Sequence, residues 1–199
     1  MSKKFKEFTG NFYPDQYNKD SKLDINHNYL LEQFSDHDEI LQKIKEVVIK
    51  GDFTLGSIVD EVEEKYAKLC GTKHAIGVGS GTDALFLSLK SIGVDKGDEV
   101  ITTPFTFFAT VGAIATSGAT PIFVDCGDDL NINPDLIESA ITSKTKAIMP
   151  VHWSGRPCEM DKINTLAEKY GISVIEDACH AIKATYKNRP AGSLGNFGC

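Results

Sequence analysis

Residues 77–89 of the chain read GVGSGTDALFLSL, and this stretch decides the class of fold. The residues HAIGV at 74–78 predict a short buried strand, and the apolar residues that follow predict a helix near 82–92. Between them lies Gly-Ser-Gly-Thr at 79–82, and glycines let a backbone turn sharply and approach another group closely. A strand that passes through such a turn into a helix is typical of an α/β protein.

The rest of the chain repeats this alternation of strand and helix. Apolar, β-branched runs predict further strands at EVITT (99–103), TPIFVD (120–125), KAIMPV (146–151) and ISVIED (172–177), with helices near 106–117, 134–141 and 159–170. Asn133-Pro134 has the pattern of a helix start, and Gly171 that of a helix end. Strands joined by single helices need right-handed crossovers, so the sequence predicts an α/β fold with a largely parallel sheet and helices on both faces.

Two further helices are predicted before the first strand, and a less regular segment precedes them. Apolar residues recur at helical spacing from Asp38 to a glycine at Gly51, and again from Val59 to Gly71. Residues 1–34 are polar with scattered aromatic residues and show no sustained period. We therefore expect an irregular N-terminal arm over 1–34 and one large domain over 35–199.

Composition excludes several classes of function. The net charge of −7 over 199 residues provides no basic surface for a nucleic-acid backbone. No apolar run has membrane-spanning length, and MSKKFKEFTG at the start has no apolar signal core. The five cysteines are scattered and form no C-x-x-C pair, which predicts reduced thiols, no metal site and a cytoplasmic protein.

The Gly-Ser-Gly-Thr turn is a candidate anion site. Ligands of open parallel sheets bind beyond the carboxyl ends of the strands, and helix N-termini present N–H groups to anions. A dinucleotide fingerprint fails because Thr82 stands where its third glycine belongs, and no Gly-Lys-Ser/Thr follows to make a P-loop. A cup for one phosphate, built by Ser80, Gly81 and Thr82, remains beside the simpler alternative of a capped strand-to-helix turn.

Asp177 is the second candidate, because it stands at the mouth of the apolar strand ISVIED. An isolated aspartate in this position is commonly a helix cap or a buried partner of Lys or Arg. Here it shares the strand-end edge with the phosphate cup, so a ligand with one phosphate and one ring nitrogen would be held at both ends. Pyridoxal 5'-phosphate (PLP) has this form, and a carboxylate keeps its pyridine nitrogen protonated.

The chain resembles a known protein family. From about Asp38 to Cys199 it is similar to the DegT/DnrJ/EryC1/StrS family of PLP-dependent nucleotide-sugar aminotransferases, whose large domain has fold type I. Six segments carry the resemblance in the family's order: GDFTLGSIVDEVEEKYAKLCGTKHAIGVGSGTDAL, GDEVITTPFTFFAT, GATPIFVD, TKAIMPVHWSG, YGISVIEDACHA and AGSLGNFGC.

The resemblance implies a role for each candidate residue. Ser80–Thr82 match the phosphate-binding turn, and Asp177 matches the partner of the pyridine nitrogen. Phe107 falls where an aromatic ring stacks on the cofactor, although the residues alone equally favour a core position beside Phe105. His180 matches a position that hydrogen-bonds the cofactor; without the resemblance it reads as an ordinary surface or core histidine.

The family's Schiff-base lysine has no counterpart within the chain. It follows the segment seen here as GSLGNFGC, so we expect it just after Cys199, and no catalytic residue within residues 1–199. The remaining strands and the small C-terminal domain of the family are missing too. The chain is therefore expected to be the N-terminal part of a longer enzyme and inactive alone.

The function implied is transfer of an amino group, with glutamate as the expected donor, to a keto sugar linked to a nucleotide. Such amino sugars enter surface polysaccharide, lipopolysaccharide or antibiotic synthesis, and the family commonly works as homodimers. Two alternatives stay open. One is a PLP-dependent sugar 3-dehydratase, in which histidine replaces the lysine. The other is a non-catalytic binding or regulatory relative.

Overall fold

A computed structural model of the chain describes residues 29–199. The chain divides into two compact units, Met1–Thr54 and Leu55–Cys199. In the described part of the first unit, a short helix α1 (Leu30–Gln33) is followed by α2 (His37–Lys50). Helix α2 ends at Gly51, which has a left-handed φ of 69° as predicted for a C-cap glycine. Residues 1–28 of the predicted irregular arm lie outside the described residues. Within residues 29–34, the short helix α1 stands where an irregular segment was predicted.

The second unit contains the predicted alternation of helices and strands. Its helices are α3 (Ser57–Cys70), α4 (Gly81–Ser91), α5 (Phe108–Ser117), α6 (Pro134–Ala140) and α7 (Met160–Tyr170). Its strands are β1 (Glu99–Thr102), β2 (Thr120–Phe123), β3 (Thr145–Ile148), β4 (Ser173–Glu176), β5 (Thr185–Tyr186), β6 (Arg189–Pro190) and β7 (Phe197–Gly198). As predicted, Asn133 caps α6 and Gly171 ends α7.

The main sheet has five strands in the order β2-β1-β3-β4-β7, and every neighbouring pair is parallel. Each of β1, β2, β3 and β4 is separated from the next by a helix, which is the connection that parallel strands need. This arrangement brings the carboxyl ends of β1, β3 and β4 to one edge. The largely parallel sheet predicted from the sequence is confirmed.

Successive strand residues enter two separate hydrophobic cores, one on each face of the sheet. Val100, Ala147 and Ile175 pack with residues of α4 and α5, including Leu85, Leu89 and Ile114. The residue next to each of these in its strand packs with α6 and α7: Ile101, Ile148 and Val174 share a core with Ile137 and Ile163. Side chains alternate between faces along a strand, so helices cover both faces as predicted.

One predicted strand is wrong. Residues 74–78 are not in a β-strand, and they lie outside the hydrogen-bonded pairs of the sheet. Ile76 is 80% exposed, so the apolar pattern of HAIGV does not mark burial here. A strand needs a neighbour to pair with, and within the described residues this segment is instead tied to α3, where the Glu63 carboxylate accepts the Gly77 N–H at 2.7 Å.

Three features were not predicted. Strands β5 and β6 form an antiparallel hairpin, and β7 adds to the edge of β4. A single 3₁₀ turn at Trp153–Gly155 follows β3, with left-handed φ values of 50° at Ser154 and 84° at Gly155. A Cβ on Gly155 would lie 2.8 Å from the His180 carbonyl oxygen, so a glycine is required for the two turns to approach each other.

None of the helices in residues 29–199 is long and apolar enough to span a membrane.

Candidate functional site

Asp177 directly follows β4 and pairs with Val151 in a parallel bridge just beyond the end of β3. Its N–H donates to the Pro150 carbonyl at 2.9 Å, and its carbonyl accepts the His152 N–H at 3.0 Å. The side chain is only 7% exposed, and its Oδ2 accepts a hydrogen bond of 2.7 Å from the Thr110 hydroxyl on α5. Its other oxygen, Oδ1, has a long contact of 3.5 Å with the Cys179 N–H. The carboxylate is therefore fixed in place but keeps acceptor capacity on Oδ1.

The Gly-Ser-Gly-Thr turn is the N-terminus of α4. Ser80 is the N-cap: its Oγ accepts the Asp83 N–H at 3.1 Å, and its hydroxyl donates to Asp83 Oδ2 at 3.0 Å. The Ser80 side chain therefore caps the helix, as in the simpler of the two sequence interpretations. The N–H groups of Gly81 and Thr82 belong to the first helical turn, where no acceptor exists within the helix. These two donors remain available to an anion.

The N-terminus of α4 and the turn after β4 contact each other. A Cβ on Gly81 would lie 3.1 Å from Sγ of Cys179, which is tighter than ordinary van der Waals contact. Gly81 thus allows a close approach that a larger residue would oppose. This packing brings the predicted anion site next to the segment that carries Asp177 and His180.

A cavity of about 250 Å³ lies between these elements. Five of the six candidate residues line this cavity: Gly81, Thr82, Phe107, Asp177 and His180. The sixth, Ser80, is the residue directly before Gly81. The remaining lining residues come from α4, the start of α5 and the turns after β3 and β4: Leu85, Thr106, Ala109, Val151, His152, Trp153 and Cys179. The structure therefore brings together the residues that the sequence placed at three separate strand ends.

An aromatic wall forms on one side of the cavity. The Trp153 ring lies 4.5 Å from the Phe105 ring and 5.8 Å from the His180 ring, measured between centroids. Phe107 precedes the first residue of α5, and its side chain is 71% exposed. Phe107 is therefore not a core residue within this unit, which removes the alternative that it packs in the core. Trp153 was not among the predicted site residues, although it lies two residues after the predicted strand at 146–151.

Cys179 has a thiol at the cavity wall, but it is a poor nucleophile. Partial burial, and then the charge of the neighbouring Asp177 carboxylate, raise the pKa of Cys179 to about 12. The thiolate is the reactive form of cysteine, so almost none of it is present at neutral pH.

Glu176 is a second buried carboxylate that sequence reasoning missed. Its side chain is fully buried and accepts four N–H groups: His152 Nε2 at 2.9 Å and the backbone N–H groups of Gly192, Leu194 and Gly195 at 2.6–2.8 Å. Because Nδ1 of His152 accepts the Cys158 N–H at 3.2 Å, Nε2 carries the proton. An acid inside the apolar run ISVIED, with glycines in AGSLG, was the available clue.

The Glu176 interactions anchor the last strand of the sheet. The turn at 192–195 leads directly into β7, where the Cys199 N–H donates to the Glu176 carbonyl at 2.9 Å and the Cys199 carbonyl accepts the Ala178 N–H at 2.7 Å. Cys199 therefore lies beside the turn that follows Asp177.

No group of three or more His, Cys, Asp or Glu side chains within residues 29–199 is arranged to hold a metal ion. The polar groups that line the cavity are helix N–H donors, two hydroxyls, two histidines, an indole, a thiol and one carboxylate. This set suits an organic anion with a separate proton-bearing atom.

Comparison with known proteins identifies the family. The sequence matches the model of the DegT/DnrJ/EryC1/StrS aminotransferase family over residues 35–199. The chain belongs to this family. Its sheet and helices match those of solved PLP-dependent aminotransferases of the same fold. The resemblance inferred from the six sequence segments is therefore confirmed.

Named relatives share this family. The chain is 45% identical over 159 residues to the spore coat polysaccharide biosynthesis protein SpsC of Bacillus subtilis strain 168, covering 79% of the chain and 41% of SpsC. It is 38% identical to DesV of S. venezuelae, solved with a ketimine intermediate, with a TM-score of 0.79 over 82% of the chain and 44% of DesV.

A second similar structure was solved in cofactor-bound forms. The putative sugar aminotransferase Spr1654 of Streptococcus pneumoniae, solved in its PLP form and in its pyridoxamine phosphate (PMP) form, is 32% identical with a TM-score of 0.77. The match covers 79% of the chain and 44% of Spr1654. The chain thus spans less than half the length of each of these three proteins.

Proposed function

We propose that the protein is a PLP-dependent aminotransferase that moves an amino group from glutamate to the keto group of a nucleotide-linked sugar. The observation that carries the proposal is the single cavity lined both by the N-terminus of α4 and by Asp177. Membership of a sugar aminotransferase family supports the reaction class. The product is an amino sugar for polysaccharide synthesis, lipopolysaccharide included.

The cavity fits a compact phosphorylated ring. Its volume of about 250 Å³ is just below the roughly 300–1,000 Å³ typical of larger organic ligands. At one end, the Gly81 and Thr82 N–H groups and the Thr82 hydroxyl can donate to a phosphate, with the favourable dipole of α4 behind them. The Ser80 cap keeps this helical turn formed, so Ser80 acts on the phosphate through the backbone.

At the other end, Asp177 can accept a ring N–H⁺. Its Oδ2 is taken by Thr110, which leaves Oδ1 as the oxygen with capacity toward the cavity. When bound, PLP supplies a ring that accepts the electron pair released at the substrate carbon. The Asp177 negative charge stabilises the protonated ring nitrogen on which that electron acceptance depends.

Phe107 and His180 complete the proposed cofactor site. The Phe107 ring is largely exposed beside the cavity, so a flat cofactor ring stacked on it would remove apolar surface from water. The His180 imidazole leans on Trp153, which limits the directions in which its nitrogen atoms can reach the cofactor.

The proton-transfer base of this proposal is a lysine within the few residues that follow Cys199, where it also anchors the cofactor. Its support in the structure is β7, which sets Cys199 on the Ala178 N–H beside Asp177. A histidine in that place would instead favour the sugar 3-dehydratase. The active form is proposed to be a cytoplasmic homodimer; the five free cysteines agree with a reducing compartment.

The amino-donor half of the reaction can be tested without knowing the sugar. The protein at its native length, loaded with PLP, is mixed with ¹⁵N-glutamate, and formation of PMP and 2-oxoglutarate is followed. One 2-oxoglutarate per PMP is expected, and ¹⁵N should then appear in an added nucleotide-linked keto sugar. Failure to bind PLP, or to convert it to PMP with any amino acid, would overturn the proposal. Loss of a sugar hydroxyl without gain of ¹⁵N would favour the dehydratase.

A further inference from the structure

The hydroxyl of Thr110 donates a short hydrogen bond of 2.7 Å to Oδ2 of the Asp177 carboxylate. Thr110 lies in the first turn of α5 and is fully buried. Its Oγ1 is also 2.7 Å from Oγ1 of Thr106. A carboxylate only accepts hydrogen bonds, so the Thr110 proton points to Asp177 and the Thr106 hydroxyl must donate to Thr110. Thr106, Thr110 and Asp177 therefore form a series of hydrogen bonds in which each hydroxyl donates toward Asp177.

A second buried hydroxyl on α5, that of Ser117, bonds within its own helix, whereas the Thr110 hydroxyl does not. The Ser117 hydroxyl donates to the Ile114 carbonyl of its own helix at 2.7 Å, the usual local solution for a serine or threonine in a helix. Thr110 instead reaches a partner 67 residues away in the sequence. Its hydroxyl links α5 to the end of β4.

The direction of this series of hydrogen bonds sets what Asp177 can offer to the cavity. With Oδ2 held at 2.7 Å, the carboxylate cannot rotate without breaking its short hydrogen bond. The other oxygen, Oδ1, has a long contact of 3.5 Å with the Cys179 N–H, and Asp177 lines the cavity. Donation through two linked hydroxyls strengthens each bond.

We propose that Thr110, supported by Thr106, is a positioning residue that holds Oδ2 of Asp177 and turns its Oδ1 toward the ring nitrogen of the cofactor. This inference rests on the proposed PLP function. Without the Thr110 hydroxyl, the buried Oδ2 lacks a partner, so the carboxylate rotates and Oδ1 moves away from the ring nitrogen. The ring nitrogen then loses the neighbouring negative charge that favours its protonated form.

The test compares three threonine variants in the protein at its native length. PMP carrying ¹⁵N in its ring is the probe, because it binds without a covalent bond to the protein. Thr110→Val removes the hydroxyl and keeps the shape, and Thr110→Ser restores it. Thr102→Val is the matched control, since the Thr102 hydroxyl is equally buried but donates to the Met149 carbonyl at 2.8 Å, away from Asp177.

For Thr110→Val we expect the ¹⁵N resonance to move from the protonated toward the neutral position at constant pH, and the PMP dissociation constant to rise about tenfold. Thr110→Ser and Thr102→Val should keep the wild-type resonance. Melting of the cofactor-free variants shows whether each is folded. If Thr110→Val does not fold, Thr106→Val provides the same measurement at a less buried position, with a smaller shift of the same sign.

Asp177→Asn separates failure of this inference from failure of the proposed function. If Asp177→Asn neutralises the ring nitrogen while folded Thr110→Val leaves the resonance unchanged, Asp177 acts without Thr110 and the inference is overturned. If neither variant changes the resonance or the binding of PMP, the assignment of the cavity to PLP falls as well. An equal change in Thr102→Val would show a general packing effect and would also overturn the inference.

Discussion

The two ends of the cavity are built in different ways. At the N-terminus of α4, the cap joins Ser80 to Asp83, three residues away, and the anion donors are backbone N–H groups near the surface. At the end of β4, Asp177 and Glu176 are buried, and their partners lie 16–67 residues away. One end is made by local sequence and the other by long-range packing.

This difference teaches where the site is tolerant and where it is fragile. A backbone donor survives most side-chain substitutions, provided that the helix begins at the same residue. A buried carboxylate with several donors does not, because each donor left without an acceptor costs free energy. The substitutions below follow from this contrast, in order of decreasing expected effect.

Glu176→Gln should have the largest effect, and on stability. Glutamine keeps the shape of the side chain, but it replaces one carboxylate oxygen by an NH₂ group. That NH₂ group cannot accept the backbone N–H groups that donate to the Glu176 carboxylate in the native protein. We expect a loss of about 3–5 kcal/mol in the free energy of unfolding, as for other broken buried charged networks. Chemical denaturation measures it. Glu138→Gln is the control, because Glu138 is exposed and its ion pair with Lys169 is screened by water, so a much smaller loss is expected. Equal losses would contradict the claim that burial and long-range partners make Glu176 fragile.

Asp177→Asn should spare the fold but slow the chemistry. Asparagine still accepts the Thr110 hydroxyl but carries no charge for the ring nitrogen. We expect PLP to bind and its conversion to PMP by glutamate to slow about 10²-fold or more. Single-turnover absorbance measures the rate. Asp125→Asn is the control, since Asp125 also follows a strand but is exposed and not part of the cavity lining. A wild-type rate for Asp177→Asn would make Asp177 a purely structural residue.

Thr82→Val should weaken cofactor binding and leave the other steps unchanged. It removes one hydroxyl donor from the phosphate end but keeps the backbone N–H groups. The expected loss is roughly 1–3 kcal/mol of binding free energy, the range for a hydrogen bond to a charged group. Titration with PMP measures it. Thr165→Val is the control, because the Thr165 hydroxyl donates to Asp161 within α7. Unchanged affinity in Thr82→Val would return the turn to a simple helix cap.

Ser80→Ala should have the smallest effect on binding. Its loss is that of an N-cap, about 0.5–2 kcal/mol of stability, with PMP affinity lowered only as far as the first turn of α4 frays. Asn133→Ala removes the equivalent cap from α6, away from the cavity, and should cost similar stability with no change in affinity. A drop in PMP affinity for Ser80→Ala as large as for Thr82→Val would show that the Ser80 hydroxyl contacts the phosphate itself.

Most of the fold could be predicted because its elements are encoded locally. The strands at 99–102, 120–123 and 173–176 fall within the predicted apolar runs, the strand at 145–148 starts one residue before its predicted run, and glycines end three helices where expected. The same reasoning was wrong for 74–78, since β-branched residues indicate a capacity for pairing and cannot supply the neighbour. The two-residue strands β5, β6 and β7 are too short to carry a hydrophobic period.

Ser80, Gly81, Thr82 and Asp177 could be chosen from the residues themselves, because they stand at a strand end or a helix start. Phe107 and His180 were assigned through the family resemblance. The contacts of Thr110, Trp153 and Glu176 could not be predicted, since a threonine within a helix, a tryptophan in a turn and an acid within a strand have no local mark of their partners.

The sequence by itself determined the class of fold, the family, the helix caps and the six candidate residues, because these depend on composition, period and short motifs. Only the tertiary structure decided that Gly81 packs against Cys179, that Thr110 holds one oxygen of Asp177, and that Glu176 anchors the turn before β7. The physical reason is distance along the chain. A hydrogen bond between residues 67 apart depends on how the sheet and its helices pack, and no local pattern encodes that packing.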